Sequence, residues 1–152
     1  MLVKEIMTEN PITVTVDMEI FKAAKILLDH RINGVPVVDD TGKLVGVLCQ
    51  SDLIAQQKKL PVPSFFSFLD GYINLSSMKN IEKEVRKIAA TAVSDAMTLN
   101  PVTVGPDSSI ETVAALMVDH NLYTLPVVEK GRLVGVVGKE DILRTLMPTN
   151  HS

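Results

Sequence analysis

Two acidic residues stand at matching places in the chain. Asp52 closes Gly46-Val47-Leu48-Cys49-Gln50-Ser51-Asp52, and Asp141 closes Gly135-Val136-Val137-Gly138-Lys139-Glu140-Asp141. Each follows an apolar run that reads as a strand, and each falls in the first turn of what reads as a helix. A carboxylate there complements the helix dipole, an effect of about 0.3–1 kcal/mol. Held at a cleft mouth, it can also accept two hydrogen bonds from vicinal hydroxyls such as those of a ribose, while nearby helix N-termini favour phosphate oxygens. Bond-making chemistry has no comparable support. The chain has no G-x-S-x-G, no Walker loop, no H-E-x-x-H and no Cys/His cluster with metal-ligand spacing. His30 and His120 fall at equivalent helix ends, where a partly cationic side chain meets the negative dipole end. Cys49 ends an apolar strand and fits a buried, inert thiol better than a nucleophile. His151 lies in a short tail.

The matching acids are part of a duplication. Residues 7–40 align without gaps to 97–130, with 14 of 34 positions identical. After a one-residue change of offset, 42–53 align to 131–142 with six of 12 identical. The change falls between Asp39 and Gly42, where a turn absorbs it. In each copy a β-branched run (12–15 and 102–104) follows Asn-Pro, which forces an extended approach. Asp17 and Asp107 read as N-caps of a helix. Ile20, Ala24, Leu27 and Leu28 then fall on one helical face, as do Ile110, Ala114 and Met117. Extended runs at 35–38 and 125–128 lead through polar turns to 44–48 and 133–137, forming hairpins. A second helix starts near Ser51 and near Lys139. The order β-α-β-β-α, twice, is an α/β (α+β) arrangement. One copy of about 50 residues is marginal alone, so the two are expected to pack with pseudo-twofold symmetry.

The stretch between the copies differs in character. Residues 4–53 carry five basic and eight acidic residues, and 94–143 carry three and seven; residues 54–93 carry six and three. This insert holds four of the six aromatic residues, Phe65, Phe66, Phe68 and Tyr72. A turn is expected over 65–71 and a helix over 78–90, with Met78, Ile81, Val85, Ile88 and Ala92 on one face. Its aromatics either pack over the core or offer an apolar patch to a second subunit or a cleft. The division expected is a first repeat at 1–59, the insert at 60–93, a second repeat at 94–147 and a tail at 148–152.

Composition narrows the function classes. A net charge of −3 over 152 residues argues against sequence-independent nucleic-acid binding, which needs a strongly cationic surface. No stretch approaches the roughly 18 apolar residues of a membrane helix, and the first eleven residues lack the apolar centre of a signal peptide. One cysteine precludes a disulfide within the chain and fits a reducing, cytoplasmic setting.

The duplicated M-T-x-N-P-x-T-V, the G-V-P-V-V-D and T-L-P-V-V-E strands, the L-V-G-V hairpin strands and the closing aspartates resemble a tandem pair of cystathionine β-synthase (CBS) domains of the stand-alone prokaryotic type. The resemblance spans roughly residues 4–59 and 94–147. It implies a regulatory module, not an enzyme, that needs no cofactor. Such a module binds an adenosyl ligand (AMP, ADP, ATP or S-adenosylmethionine) in clefts between the repeats, assembles as a homodimer and acts through an effector protein. Carried over, it places a ring against Ile12 and Thr13, with Gly34, Val35 and Pro36 opposite and Asp52 on the ribose. The second cleft would use Val102, Thr103, Thr124, Leu125, Pro126 and Asp141, with Tyr123 stacking on the base or filling the interface. Lys139 and Arg144 would meet phosphate there, which tips the expectation slightly towards the Asp141 cleft. The family's Ser/Thr-x-x-Asp motif is here Cys49-x-x-Asp52 and Gly138-x-x-Asp141, so both copies lack the hydroxyl. A structural dimerisation module with empty clefts is the alternative.

Overall fold

The computed structural model describes residues 1–59 and 91–148. The expected turn and helix of the insert, and His151, lie outside these residues. The elements are α1 (Val3–Ile6), β1 (Thr8–Glu9), β2 (Val14–Thr15), α2 (Ile20–Asp29), β3 (Gly34–Val38), β4 (Leu44–Cys49) and α3 (Gln50–Lys59) in the first repeat. The second contains α4 (Val93–Ala96), β5 (Thr98–Leu99), α5 (Ile110–His120), β6 (Thr124–Glu129), β7 (Arg132–Gly138) and α6 (Lys139–Arg144). The β-α-β-β-α order holds in both, although the counterpart of β2 in the second repeat is reduced to one bridge, Val104 to Val127.

The sheets join the repeats in a way the local reading did not foresee. One sheet runs β2-β3-β4-β5 and the other β1-β7-β6, so each repeat lends its first short strand to the other. Thr8 and Glu9 pair antiparallel with Val136 and Gly135, and Thr98 and Leu99 with Val47 and Gly46. The α1 and α4 turns cross with their strands. Val3 is fully buried among Val104, Val113, Met117, Leu125, Val127 and Val137 of the second repeat, and Val93 among Val14, Ala23, Leu27, Val35, Val37 and Leu48 of the first. Backbone bonds repeat the symmetry. Val3 N–H donates to Ser108 O (2.9 Å), and Val93 N–H to Met18 O (2.9 Å). Neither core is complete without a residue from the other copy.

Glycine makes this exchange possible. A Cβ built on Gly46 would lie 2.7 Å from the Thr98 carbonyl oxygen, and one on Gly135 would lie 2.7 Å from Met7 Sδ and 2.9 Å from the Thr8 carbonyl oxygen. The Gly of each L-V-G-V run is the gap through which the borrowed strand reaches its partner.

Helix starts and faces are shifted from the sequence reading. The N-caps are Glu19 and Ser109, not Asp17 and Asp107. Ser109 Oγ accepts the Thr112 amide at 3.1 Å. Asp17 instead accepts the Thr15 hydroxyl (2.8 Å), and Asp107 forms an exposed ion pair with Lys4 across the repeats (3.1 Å). The buried positions are Ile20, Ala23 and Leu27 on α2 and Val113 and Met117 on α5, whereas Leu28 is exposed. The buried stripe lies one position N-terminal of the expected Ala24 and Ala114 because it faces both the sheet and the borrowed turn. The hairpin turns carry the length difference between copies. Lys130 and Gly131 both have positive φ, as a tight two-residue hairpin turn requires. The longer first turn is instead gathered by Asp39, whose carboxylate accepts the Thr41 amide and hydroxyl and the Lys43 amide.

Candidate functional site

Each closing acid sits at the third position of its helix and reaches back to the N-cap amide. Asp52 Oδ2 accepts Cys49 N–H at 2.8 Å, and Asp141 Oδ2 accepts Gly138 N–H at 2.8 Å. This is the return half of a capping box. The acid therefore satisfies a helix-end donor as well as facing the dipole, a stronger structural role than the dipole alone. The second oxygens differ. Asp52 Oδ1 accepts the hydroxyl of Thr98, on the borrowed strand β5, at 3.2 Å. Asp141 Oδ1 accepts Arg144 Nη1 at 2.9 Å, one helical turn along α6.

A pocket of about 300 Å³ opens at Asp52, and both repeats line it. That volume is at the lower end for small-molecule sites. The first repeat supplies Asn33, Cys49, Gln50, Ser51, Asp52 and Ile54; the second supplies Thr98, the 121–124 segment and Lys139. Strand ends and helix starts converge here because Gln50 N–H donates to Asn33 O (2.9 Å) and, symmetrically, Lys139 N–H to Tyr123 O (3.0 Å). Asn33 Nδ2 crosses to Glu140 Oε1 at 3.4 Å. Lys139 Nζ lies 4.9 Å from the centre of the Tyr123 ring, a cation–π distance. The pocket thus combines a carboxylate, a cation, a half-exposed aromatic ring and several amide and hydroxyl groups.

Of the residues expected from sequence, Asp52, Tyr123, Thr124 and Lys139 line this one pocket. Tyr123 and Lys139, grouped above with Asp141, thereby stand beside Asp52. Gly34, Val35, Pro36, Leu125 and Pro126 are buried within β3 and β6. Gly34 abuts the pocket wall, since a Cβ there would lie 3.1 Å from both Cys49 Sγ and Thr124 Oγ1. Ile12 and Thr13 are exposed ahead of β2; Thr103 is also exposed, and Val102 packs on the second core. Arg144 forms an ion pair with Asp141. Among the lining residues not expected from sequence, Thr98 is the one whose side chain bonds directly to the acid. Its place in the duplicated M-T-x-N-P was legible, but its contact with Asp52 exists only because β5 crosses between repeats. The Cys49 thiol is pushed up from 9.0 to about 11, first by burial and then by the Asp52 charge beside it.

The CBS domain family model matches residues 3–59 and 93–148. The chain belongs to the CBS domain family. An uncharacterized protein of Methanocaldococcus jannaschii is 31% identical over 157 residues, covering 97% of this chain and 92% of that protein. The L-aspartate semialdehyde sulfurtransferase of the same organism is 33% identical over 147 residues, but the chain spans only 23% of its length. Among solved structures, the CBS domain of a membrane protein from Sphaerobacter thermophilus is 30% identical, with a TM-score of 0.72 over 96% of this chain and 88% of that one. A CBS domain pair in complex with 5′-methylthioadenosine and S-adenosyl-L-methionine is 32% identical, with a TM-score of 0.68 over 96% and 95%. CBSX2 of Arabidopsis thaliana, solved with AMP, is 26% identical, with a TM-score of 0.71 over 95% of each chain. Two CBS repeats packed with pseudo-twofold symmetry are therefore the fold of this chain. Among the described residues, no helix is long and apolar enough to cross a membrane.

Proposed function

We propose that this CBS pair is a ligand-sensing regulatory module that binds an adenosyl nucleotide in the pocket at Asp52 and passes its state to a partner protein. The carrying observation is a cross-repeat pocket in which a helix-anchored carboxylate keeps Oδ1 within reach of a ribose while Lys139 and Tyr123 stand on the facing repeat. Ribose hydroxyls would donate to Asp52, the base would lie against Tyr123, and Lys139 would meet a phosphate or carboxylate. Two structural relatives bound to AMP, or to 5′-methylthioadenosine and S-adenosyl-L-methionine, support an adenosyl ligand. The same reading makes the chain a homodimer without catalytic activity. Cys49 and Gly138 favour a second reading, a structural dimerisation module, because both copies lack the hydroxyl of the family's Ser/Thr-x-x-Asp motif.

Thermal unfolding with AMP, ADP, ATP or S-adenosylmethionine separates the two. Saturating ligand at a hundredfold excess over Kd stabilises the fold by about 2.7 kcal/mol. Asp52→Ala should weaken that binding by about 1.5–3 kcal/mol, the scale of a hydrogen bond to a charged group. If none of the four ligands raises the transition, the structural reading replaces this one.

A further inference from the structure

We propose that the two clefts are unequal: the Asp52 cleft takes the ligand first, and Arg144 competes with the ligand for Asp141. This rests on the adenosyl-binding reading above. Each acid gives one oxygen to its own N-cap amide, so the other oxygen is the one turned to the cleft side and open to a second donor's competition. At Asp52 that oxygen accepts the Thr98 hydroxyl at 3.2 Å, a long bond from an uncharged donor. A hydroxyl turns away easily, and a ribose hydroxyl replaces it like for like. At Asp141 the oxygen is held by a guanidinium at 2.9 Å. A ribose hydroxyl there would replace an ion pair, in which donor and acceptor are both charged, with a bond from an uncharged donor.

The difference lies in one aligned position. Three residues after the acid the first repeat has Ala55 and the second has Arg144. Ala55 offers Asp52 no side-chain donor. Thr8, the repeat mate of Thr98, makes no hydrogen bond to Asp141 among the described residues. A separate observation points the same way. Lys139 reaches across the repeat boundary to line the Asp52 pocket, whereas its repeat mate is the uncharged Gln50. The second repeat therefore supplies the cation for the first repeat's acid, and the first repeat does not reciprocate from that position. Arg144 is 73% exposed and its hold on Asp141 is partial. Asp141 is largely covered, but solvent around the guanidinium screens the pair, so its release shifts the equilibrium by about two- to fivefold and the second cleft is weakened rather than closed.

Titration calorimetry with AMP on the full chain tests this, using wild type, Asp52→Asn, Asp141→Asn and Arg144→Ala, each checked for a cooperative thermal transition. The asparagines keep an acceptor oxygen for the N-cap amide, so the helix starts survive. The tighter event should disappear in Asp52→Asn and persist in Asp141→Asn. Arg144→Ala should narrow the gap between the two events by about two- to fivefold, or reveal a second event where wild type shows one. Loss of the tighter event in Asp141→Asn overturns the ranking. A weaker second event in Arg144→Ala would instead place the guanidinium on the ligand, and an unchanged titration would remove it as a competitor. Two equal events in wild type overturn the inequality while leaving the adenosyl reading intact. No heat with wild type from AMP, ADP, ATP or S-adenosylmethionine withdraws both.

Discussion

Cys49 shows how one substitution inside a family motif changes the chemistry of a pocket wall. Where the family motif usually has a hydroxyl, this chain places a sulfur that a strand end half covers and that Asp52 faces with its charge. Both effects disfavour the thiolate, so the group keeps its proton to about pH 11 instead of 9.0. Reactivity follows the thiolate, and alkylation by iodoacetamide should therefore stay slow through pH 9 and rise only near 11. Asp52→Asn should shift that rise to lower pH, because it removes the neighbouring charge. Linkage fixes the sign of the stability effect. Between about pH 9 and 11 the unfolded chain has lost the thiol proton that the folded chain retains, so stability falls as pH rises through this window. A rate profile centred on the ordinary thiol value, with Asp52 intact, would contradict the burial argument.

Among the elements, the two-residue strands β1 and β5 do more than their length implies. Each brings a one-turn helix whose valine fills the other repeat's core, and each docks against a glycine. Gly46→Ala forces a Cβ to 2.7 Å from a backbone oxygen, which a rotamer change cannot relieve. The borrowed strand must move instead. The expected loss is about 1–3 kcal/mol, the usual scale of overpacking, read from urea or thermal unfolding. Because β5 also positions Thr98 at Asp52, the variant should bind nucleotide more weakly even where it remains folded. Unchanged stability would mean that the strand contact is loose. The L-V-G-V pattern itself marks the hairpin strand, but the need for glycine there is invisible until the second copy is placed.

At the scale of the whole molecule, exchange ties the two repeats together, since each core contains a valine from the other repeat. Apolar side chains remain uncovered on the closing helices. Ile54 on α3 and Leu143 on α6 are repeat mates, and both are exposed, as are Leu146 and Met147 just beyond α6. Covering them with a second copy removes apolar surface from water on both sides. Sedimentation at micromolar concentration should therefore give about twice the 16.6 kDa chain mass. A double Ile54→Asp, Leu143→Asp variant should shift the chain to the monomer. A wild-type monomer across that range would end the dimer proposal.

The duplication, the β-α-β-β-α order, the hairpins and the two closing acids were legible in the chain because they depend on local pattern: alternation, turn residues and an acid following a strand. The CBS resemblance followed from the same motifs in the same order, twice. The partners of those acids were not legible. Thr98 lies 46 positions from Asp52 and meets it only through strand exchange, and Lys139 meets the Asp52 pocket only because the repeats face one another about their pseudo-twofold axis. Arg144 was legible as a cation near Asp141 but not as its ion-pair partner, because sequence does not say where a long flexible side chain points. The helix caps slipped for a related reason. Asp17 and Asp107 are favourable cap residues by type, but the borrowed turns pack against the chain just before each helix, and their backbone bonds set the first turn two residues later. Periodicity records which face of an element seeks cover; only the assembled repeats decide which residue supplies it.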